Sequence, residues 1–121
     1  MLSKAGANVV SCDKSTNIEE LENAISSADI VVSATGVIDP FDARILRQDC
    51  TLIDVGFNWD LRTEQFRGDV DFTLAVEKCR LLSLIPGGVG PVNASLLIRN
   101  LVSNWSLTYF TQNEIEKASL Q

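Results

Sequence analysis

Short apolar runs alternate along this chain with stretches in which apolar residues recur every three or four positions. Asn8 to Cys12 is a brief β-branched run and predicts a first strand. Ile18, Leu21, Ala24, Ile25 and Ala28 then recur at helical spacing opposite Glu19, Glu20, Glu22 and Asn23, the mark of an amphipathic helix. Thr16 or Asn17 stands where its cap belongs, and the early acids suit the helix dipole. Ile30-Val31-Val32-Ser33 predicts a second strand stopping at Thr35-Gly36, and Leu52 to Val55 a third ended by Gly56. Leu81 to Ile85 predicts a fourth, which runs into Pro86-Gly87-Gly88-Val89-Gly90-Pro91. Ala43 to Leu46 reads as a short helix after the Asp39-Pro40 turn, and Phe72 to Cys79 as a helix with Leu74, Ala75 and Val76 partly inward. From Val92 a longer helix carries Leu96, Leu97, Leu101, Val102 and Trp105. Beyond Ser106 the chain turns polar, with one more helix expected from Asn113, so residues 1–106 read as the domain and 107–121 as a tail of no assigned function. Continuous apolar strands separated by helices imply an α/β fold, a doubly wound parallel sheet covered on both faces.

Composition narrows this picture. The chain has 121 residues, 45% apolar and 21% charged, values of one ordinary globular domain. A net charge of −6 works against nucleic acid or an anionic membrane as partner. A small anion stays compatible, because local backbone dipoles bind one against the overall field. Cys12, Cys50 and Cys79 are far apart in sequence and no histidine is present. That removes the common zinc sites and any histidine-based nucleophile pair, and the cysteines read as packing residues. No apolar run reaches the length of a membrane span and no signal-peptide pattern opens the chain. A soluble protein of the cytoplasm, or of an organelle matrix in a eukaryote, is expected.

In a parallel α/β sheet ligands bind outside the carboxyl ends of the strands. Those ends here are Cys12 to Thr16, Ala34-Thr35-Gly36, Gly56-Phe57-Asn58 and Pro86 to Pro91, and they are expected to line one crevice. Three glycines between two prolines in the last loop let its amides approach a ligand closely, before a helix with a positive end. The same loop also reads as a plain strand-to-helix turn. Asp54 and Asp69 offer two readings, a general acid or the satisfaction of backbone amides at strand ends, and the second is favoured.

Pro86-Gly87-Gly88-Val89-Gly90-Pro91 resembles the folate-proximal loop of the methylenetetrahydrofolate dehydrogenase/cyclohydrolase family. The resemblance continues through Asp29 to Gly36, Ile53 to Asn58 and Gly68 to Phe72, in matching order and spacing, and covers about Leu2 to Val102. It implies the Rossmann-like, carboxy-terminal NAD(P)-binding domain of a bifunctional folate enzyme. Such an enzyme passes a hydride from 5,10-methylenetetrahydrofolate to NAD(P) and hydrolyses the methenyl product. By resemblance Pro86, Gly87, Gly88, Val89, Gly90 and Pro91 border the folate, while Thr35, Gly36, Phe57 and Asn58 lie by the cofactor. Phe57 stands where the family usually has isoleucine, and Val92-Asn93 replaces the usual Met-Thr.

Asp13 and Lys14 fall where the adenosine ribose is read. An acid there favours NAD, whereas by alignment Lys14 takes the position that binds the extra phosphate of NADP. NADP is the slightly favoured cofactor and NAD the alternative. A solvated turn is a third reading of the same pair. The first strand, the phosphate loop and the catalytic lysine and tyrosine of the family have no counterpart in this chain, so it offers no catalytic residue and reads as an incomplete sheet with unpaired apolar edges. Poor stability or strand-borrowing self-association is expected of the chain alone. The resemblance further implies folate and nicotinamide cofactor as partners and a homodimer. The rival reading is a catalytically inactive remnant that serves as a binding domain.

Overall fold

The computed structural model describes the backbone of residues 1–119 and the side chains of residues 1–106 and Tyr109. The chain divides into two compact units, Met1–Pro86 and Gly87 onward. In the first, helix α1 (Ile18–Ser27) is followed by strand β1 (Ile30–Ser33), a 3₁₀ turn (Ala43–Ile45) and strand β2 (Cys50–Asp54). The hairpin β3 (Asn58–Asp60) and β4 (Gln65–Arg67), helix α2 (Phe72–Val76) and strand β5 (Cys79–Leu82) complete it. Asn17 is the cap of α1, its side chain accepting from the Glu20 amide at 2.8 Å. Thr16 instead accepts from the Asp13 amide.

The strands β1, β2 and β5 form one parallel sheet in the order β1-β2-β5. The central strand buries Cys50, Leu52 and Asp54, and Leu52 and Leu46 join Ile25, Val31, Ala43, Val70 and Ala75 in the core. Truncating a buried leucine such as Leu52 costs about 2–5 kcal/mol.

Four sequence expectations are corrected. Asn8 to Cys12 is exposed coil, not a strand. Its β-branched composition suits a ladder, but no described strand pairs with it, and strand formation is decided by the neighbour rather than by composition. β1 and β5 are the edge strands of this sheet, as the sequence predicts, but Ile30 and Val32 are exposed on one face of β1, so the expected cover on both faces is not met there. The fourth strand ends at Leu82 rather than Ile85: the Ser83 amide still donates to the Leu52 carbonyl at 3.0 Å, but the Ser83 hydroxyl then stands in for a backbone partner, accepting from the Asp54 amide at 2.8 Å and donating to the Asp54 carbonyl at 3.1 Å. Helix α2 accordingly stops at Val76, since Cys79 already pairs with Cys50 across the sheet.

The β3-β4 hairpin was not foreseen. It pairs Asn58 with Arg67, Trp59 with Phe66 and Asp60 with Gln65, antiparallel. Phe57 and Phe66 stack at 4.4 Å and Trp59 meets Phe66 edge-on at 4.9 Å, geometries aromatic pairs prefer.

The second unit is dominated by helix α3 (Val89–Ser119). It begins earlier than the expected Val92 and runs on through the positions where a polar tail and a fresh helix at Asn113 were expected. Pro91 falls in its first turn, where the missing N–H leaves no hydrogen bond broken. Leu96, Leu97, Ile98, Leu101 and Val102 are exposed, and Trp105 stacks on Tyr109 at 5.4 Å. No helix among the described residues is long and apolar enough to cross a membrane.

Candidate functional site

Parallel alignment brings the carboxyl ends of β1 and β2 side by side, with Ser33 opposite Asp54. Two buried aspartates are set there in reciprocal cradles. The Asp54 carboxylate accepts from the Gly56, Asp69 and Val70 amides at 2.9, 3.1 and 2.9 Å. Asp69, fully buried, takes its bonds from the loops around it. Its Oδ2 accepts from the Ser33 hydroxyl at 3.0 Å, the Thr35 amide at 2.7 Å, the Thr35 hydroxyl at 2.8 Å and the Gly36 amide at 3.3 Å. Its Oδ1 accepts from the Asn58 side-chain amide at 2.8 Å.

Glycine makes room for both. A Cβ on Gly56 would overlap the Asp69 carboxylate, and one on Gly68 would overlap the Asp54 carboxylate. Burial pushes the Asp69 carboxyl up, but the bonds from Asn58, Thr35 and Ser33 outweigh it and hold the group below the ordinary aspartate range. It is therefore an anion at neutral pH, compensated by neutral donors. Proton donation from either carboxyl is not what this geometry serves; each satisfies buried donors at a strand end.

Around Asp69 the structure collects three of the predicted cofactor residues, Thr35, Gly36 and Asn58. Gly36 has φ +67°, and a Cβ there would meet open space. Thr35 and Gly36 are exposed. Phe57 projects from the same β2-β3 turn, but its ring lies against Phe66 and it is half open to solvent.

Asp13 and Lys14 form a separate turn. The Ser15 hydroxyl and amide both donate to Asp13 Oδ1, at 2.6 and 2.8 Å, and these bonds lower the Asp13 carboxyl from its ordinary value. No hydrogen bond or ion pair engages Lys14 among the described residues. A cavity of about 460 Å³ between Val10-Ser11-Cys12 and the Glu20, Asn23 and Ser27 side of α1 adjoins this turn. The loop Pro86 to Pro91 crosses from the first unit to the second, with Gly87 at φ +105°.

Sequence reasoning missed Ser33 and the tie between β4 and the β1 loop. Arg67 pairs with Asp39 at 2.6 Å, and the Asp39 amide donates to the Asp69 carbonyl at 2.7 Å. The available signal was the pair of Asp-Gly neighbourhoods, Asp54-Val55-Gly56 and Gly68-Asp69, in which each glycine lies near one aspartate in sequence and makes room for the carboxylate of the other.

Comparison with known proteins agrees with this arrangement. The family described as tetrahydrofolate dehydrogenase/cyclohydrolase, NAD(P)-binding domain, matches residues 1–109. The bifunctional protein FolD of Mycoplasma mycoides is 36% identical over 107 residues, 88% of this chain and 36% of the relative. That of Nitrosomonas eutropha is 39% identical over 102 residues, 84% of this chain and 34% of the relative. The solved structure of the Campylobacter jejuni enzyme FolD, a methylenetetrahydrofolate dehydrogenase/cyclohydrolase, superposes with a TM-score of 0.77 at 31% identity over 84% of this chain and 35% of that one. The Trypanosoma brucei enzyme, solved with NADP cofactor and inhibitor, superposes with a TM-score of 0.68 at 27% identity over 78% of this chain and 33% of that one. The chain thus spans about a third of the length of the curated relatives it matches.

Proposed function

The chain belongs to the tetrahydrofolate dehydrogenase/cyclohydrolase family, matching its NAD(P)-binding domain over residues 1–109, and on that premise we propose that it holds the nicotinamide cofactor of a bifunctional folate enzyme. Thr35, Gly36, Phe57 and Asn58 would hold the nicotinamide end of the cofactor, which would supply the hydride acceptor for 5,10-methylenetetrahydrofolate; hydrolysis of the methenyl product is the second activity, and both belong to the whole protein. The observation that carries the reading is the crevice end itself. Thr35, Gly36 and Asn58 are gathered on one buried carboxylate at the carboxyl ends of β1 and β2, where ligands of parallel sheets bind.

The residues fit a dinucleotide in a specific way. Gly36 leaves open space where any other residue would carry a Cβ, room for a ring or ribose to approach the backbone. Phe57 offers an exposed aromatic face beside Asn58. Asp13 and Lys14 take the adenosine end: Lys14 has no hydrogen bond or ion pair among the described residues and can meet a 2′-phosphate, while one oxygen of Asp13 is already bonded to Ser15. NADP is therefore the preferred cofactor and NAD the alternative. Pro86 to Pro91 take the folate side. Residues 1–106 form the dinucleotide-binding part, residues 107–119 continue its last helix, and the whole protein acts as a homodimer in the cytoplasm or an organelle matrix. None of these residues supplies proton transfer; their contribution is placement and electrostatics.

Titration of the purified chain with NADP and NAD, followed by the fluorescence of Trp59 and Trp105, tests this. Saturable binding with NADP tighter than NAD is expected. Binding of neither overturns the cofactor role and leaves the inactive binding domain as the reading.

A further inference from the structure

The same carboxylate decides which kind of chemical group the Thr35–Gly36 turn can recognise. Both amides of the turn, and the Thr35 hydroxyl, point their hydrogens inward at Asp69 Oδ2. The donors by which a backbone turn ordinarily binds phosphate are therefore consumed inside the protein. The carbonyl oxygens of Thr35 and Gly36 accept no hydrogen bond among the described residues, and both residues are exposed. What the turn has left to offer a ligand is acceptors. A buried anion just beneath it adds a field that disfavours a second anion.

We propose that Asp69 is the positioning residue of the nucleotide site: it turns the Thr35–Gly36 donors inward, so that the turn meets a hydrogen-bond-donating edge of the cofactor, a ribose hydroxyl or a carboxamide, and rejects its phosphates. The assignment of the ligand rests on the cofactor role proposed above; the inward orientation of the donors does not. Asp69 is held for this task from several sides. Gly56 clears space for its carboxylate, the Asp54 carboxylate fixes its amide, and Asn58 occupies its other oxygen. A merely structural aspartate needs only to be satisfied, whereas this one takes four of its five bonds from residues 33 to 36 at the end of β1.

Amide hydrogen exchange and amide chemical shifts of the ¹⁵N-labelled chain test the proposal in three arms. In the unliganded wild type the Thr35 and Gly36 amides are expected to be protected although both residues are exposed; free exchange at both overturns the proposal without any variant being made. Asp69→Asn keeps one acceptor oxygen and is expected to speed exchange at these two amides by about tenfold, the equivalent of a weakened charge-assisted bond, with the Leu52 amide unchanged. Unchanged exchange at Thr35 and Gly36 overturns it. Finally, millimolar inorganic pyrophosphate is expected to leave the Thr35, Gly36 and Val37 signals in place, and nicotinamide riboside, which carries no phosphate, to shift them. The reverse ranking overturns the proposal. If wild type binds neither NADP nor NAD, the cofactor role fails, while the exchange arms and the pyrophosphate arm still decide the orientation of the donors.

Discussion

Replacing Asp54 by alanine removes the acceptor for three backbone amides, those of Gly56, Asp69 and Val70. All three residues are buried, so water does not replace the lost oxygens without the loops opening. A buried donor left unpaired costs about 1–3 kcal/mol, so Asp54→Ala is expected to lose at least about 3 kcal/mol. That is a large share of the roughly 5–15 kcal/mol that holds a typical domain together, more than a sheet of three described strands with open edges can spare. Asp54→Asn separates hydrogen bonding from packing. Its single carbonyl oxygen serves the Gly56 and Asp69 amides, which share Oδ1, while its amide group faces the Val70 N–H that Oδ2 served. One bond and the charge are lost, at roughly 2–3 kcal/mol. Urea denaturation followed by circular dichroism gives both numbers, with the m-value checking that the unfolding transition is unchanged in extent. The expected order of stability is wild type, then Asn, then Ala. Equal losses for Asn and Ala, or a loss under about 0.5 kcal/mol for Ala, would refute the reasoning that bonds to Asp54 join these loops.

The Asp69 carboxyl is depressed from its ordinary value of 3.8, so its contribution is present above that pH and lost as pH falls through the lower folded value; acid unfolding below about pH 4 is expected to lose part of its steepness in Asp69→Asn, and an unchanged acid limb counts against the assignment. Gly68→Ala places a Cβ against the Asp54 carboxylate and is expected to destabilise by roughly 1–3 kcal/mol, read as a fall in urea midpoint, with Gly56→Ala acting in the same direction through Asp69. Lys14→Ala is expected to weaken NADP by roughly fivefold or less, the range of an exposed ion pair, and to leave NAD unchanged; equal effects on both cofactors in parallel titrations would remove Lys14 from phosphate recognition.

How much of this was legible in the sequence depends on how far apart the deciding residues lie. Ile30 to Ser33 and Leu52 to Asp54 announce strands because consecutive apolar residues fit a strand covered on both faces, a local signal. Asn8 to Cys12 carries the same local signal and forms no strand, since a ladder needs a neighbour and no described strand supplies one. The hairpin at Asn58–Arg67 was invisible for the opposite reason: its strands are three residues each and its turn, Leu61 to Glu64, holds none of the Asn-Gly or Asp-Gly pairs that mark tight hairpins. Its stability comes from Phe57, Trp59 and Phe66 meeting across the pair, which only the register reveals. Serine, asparagine and threonine after Trp105 read as a helix end, yet α3 continues through them, because such residues are only mildly unfavourable inside a helix.

The site shows the same division more sharply. Thr35, Gly36 and Asn58 were identifiable as residues at strand ends, and glycine at Gly36 fits its positive φ. Which way the turn presents its donors was not readable, because that is set by Asp69, more than thirty positions away. The arrangement has a further physical consequence. Among the described residues, the bonds of the Thr35–Gly36 turn are made to Asp69, in the loop between β4 and α2, and to Val37, and none depends on the open edge of β1. A site end braced in this way keeps its geometry while Val9, Val10, Ile30 and Val32 remain uncovered. Open edges and an ordered Thr35–Gly36 turn are therefore compatible in one small unit, since the carboxylates draw their donors from loops already adjacent to them rather than from a completed sheet.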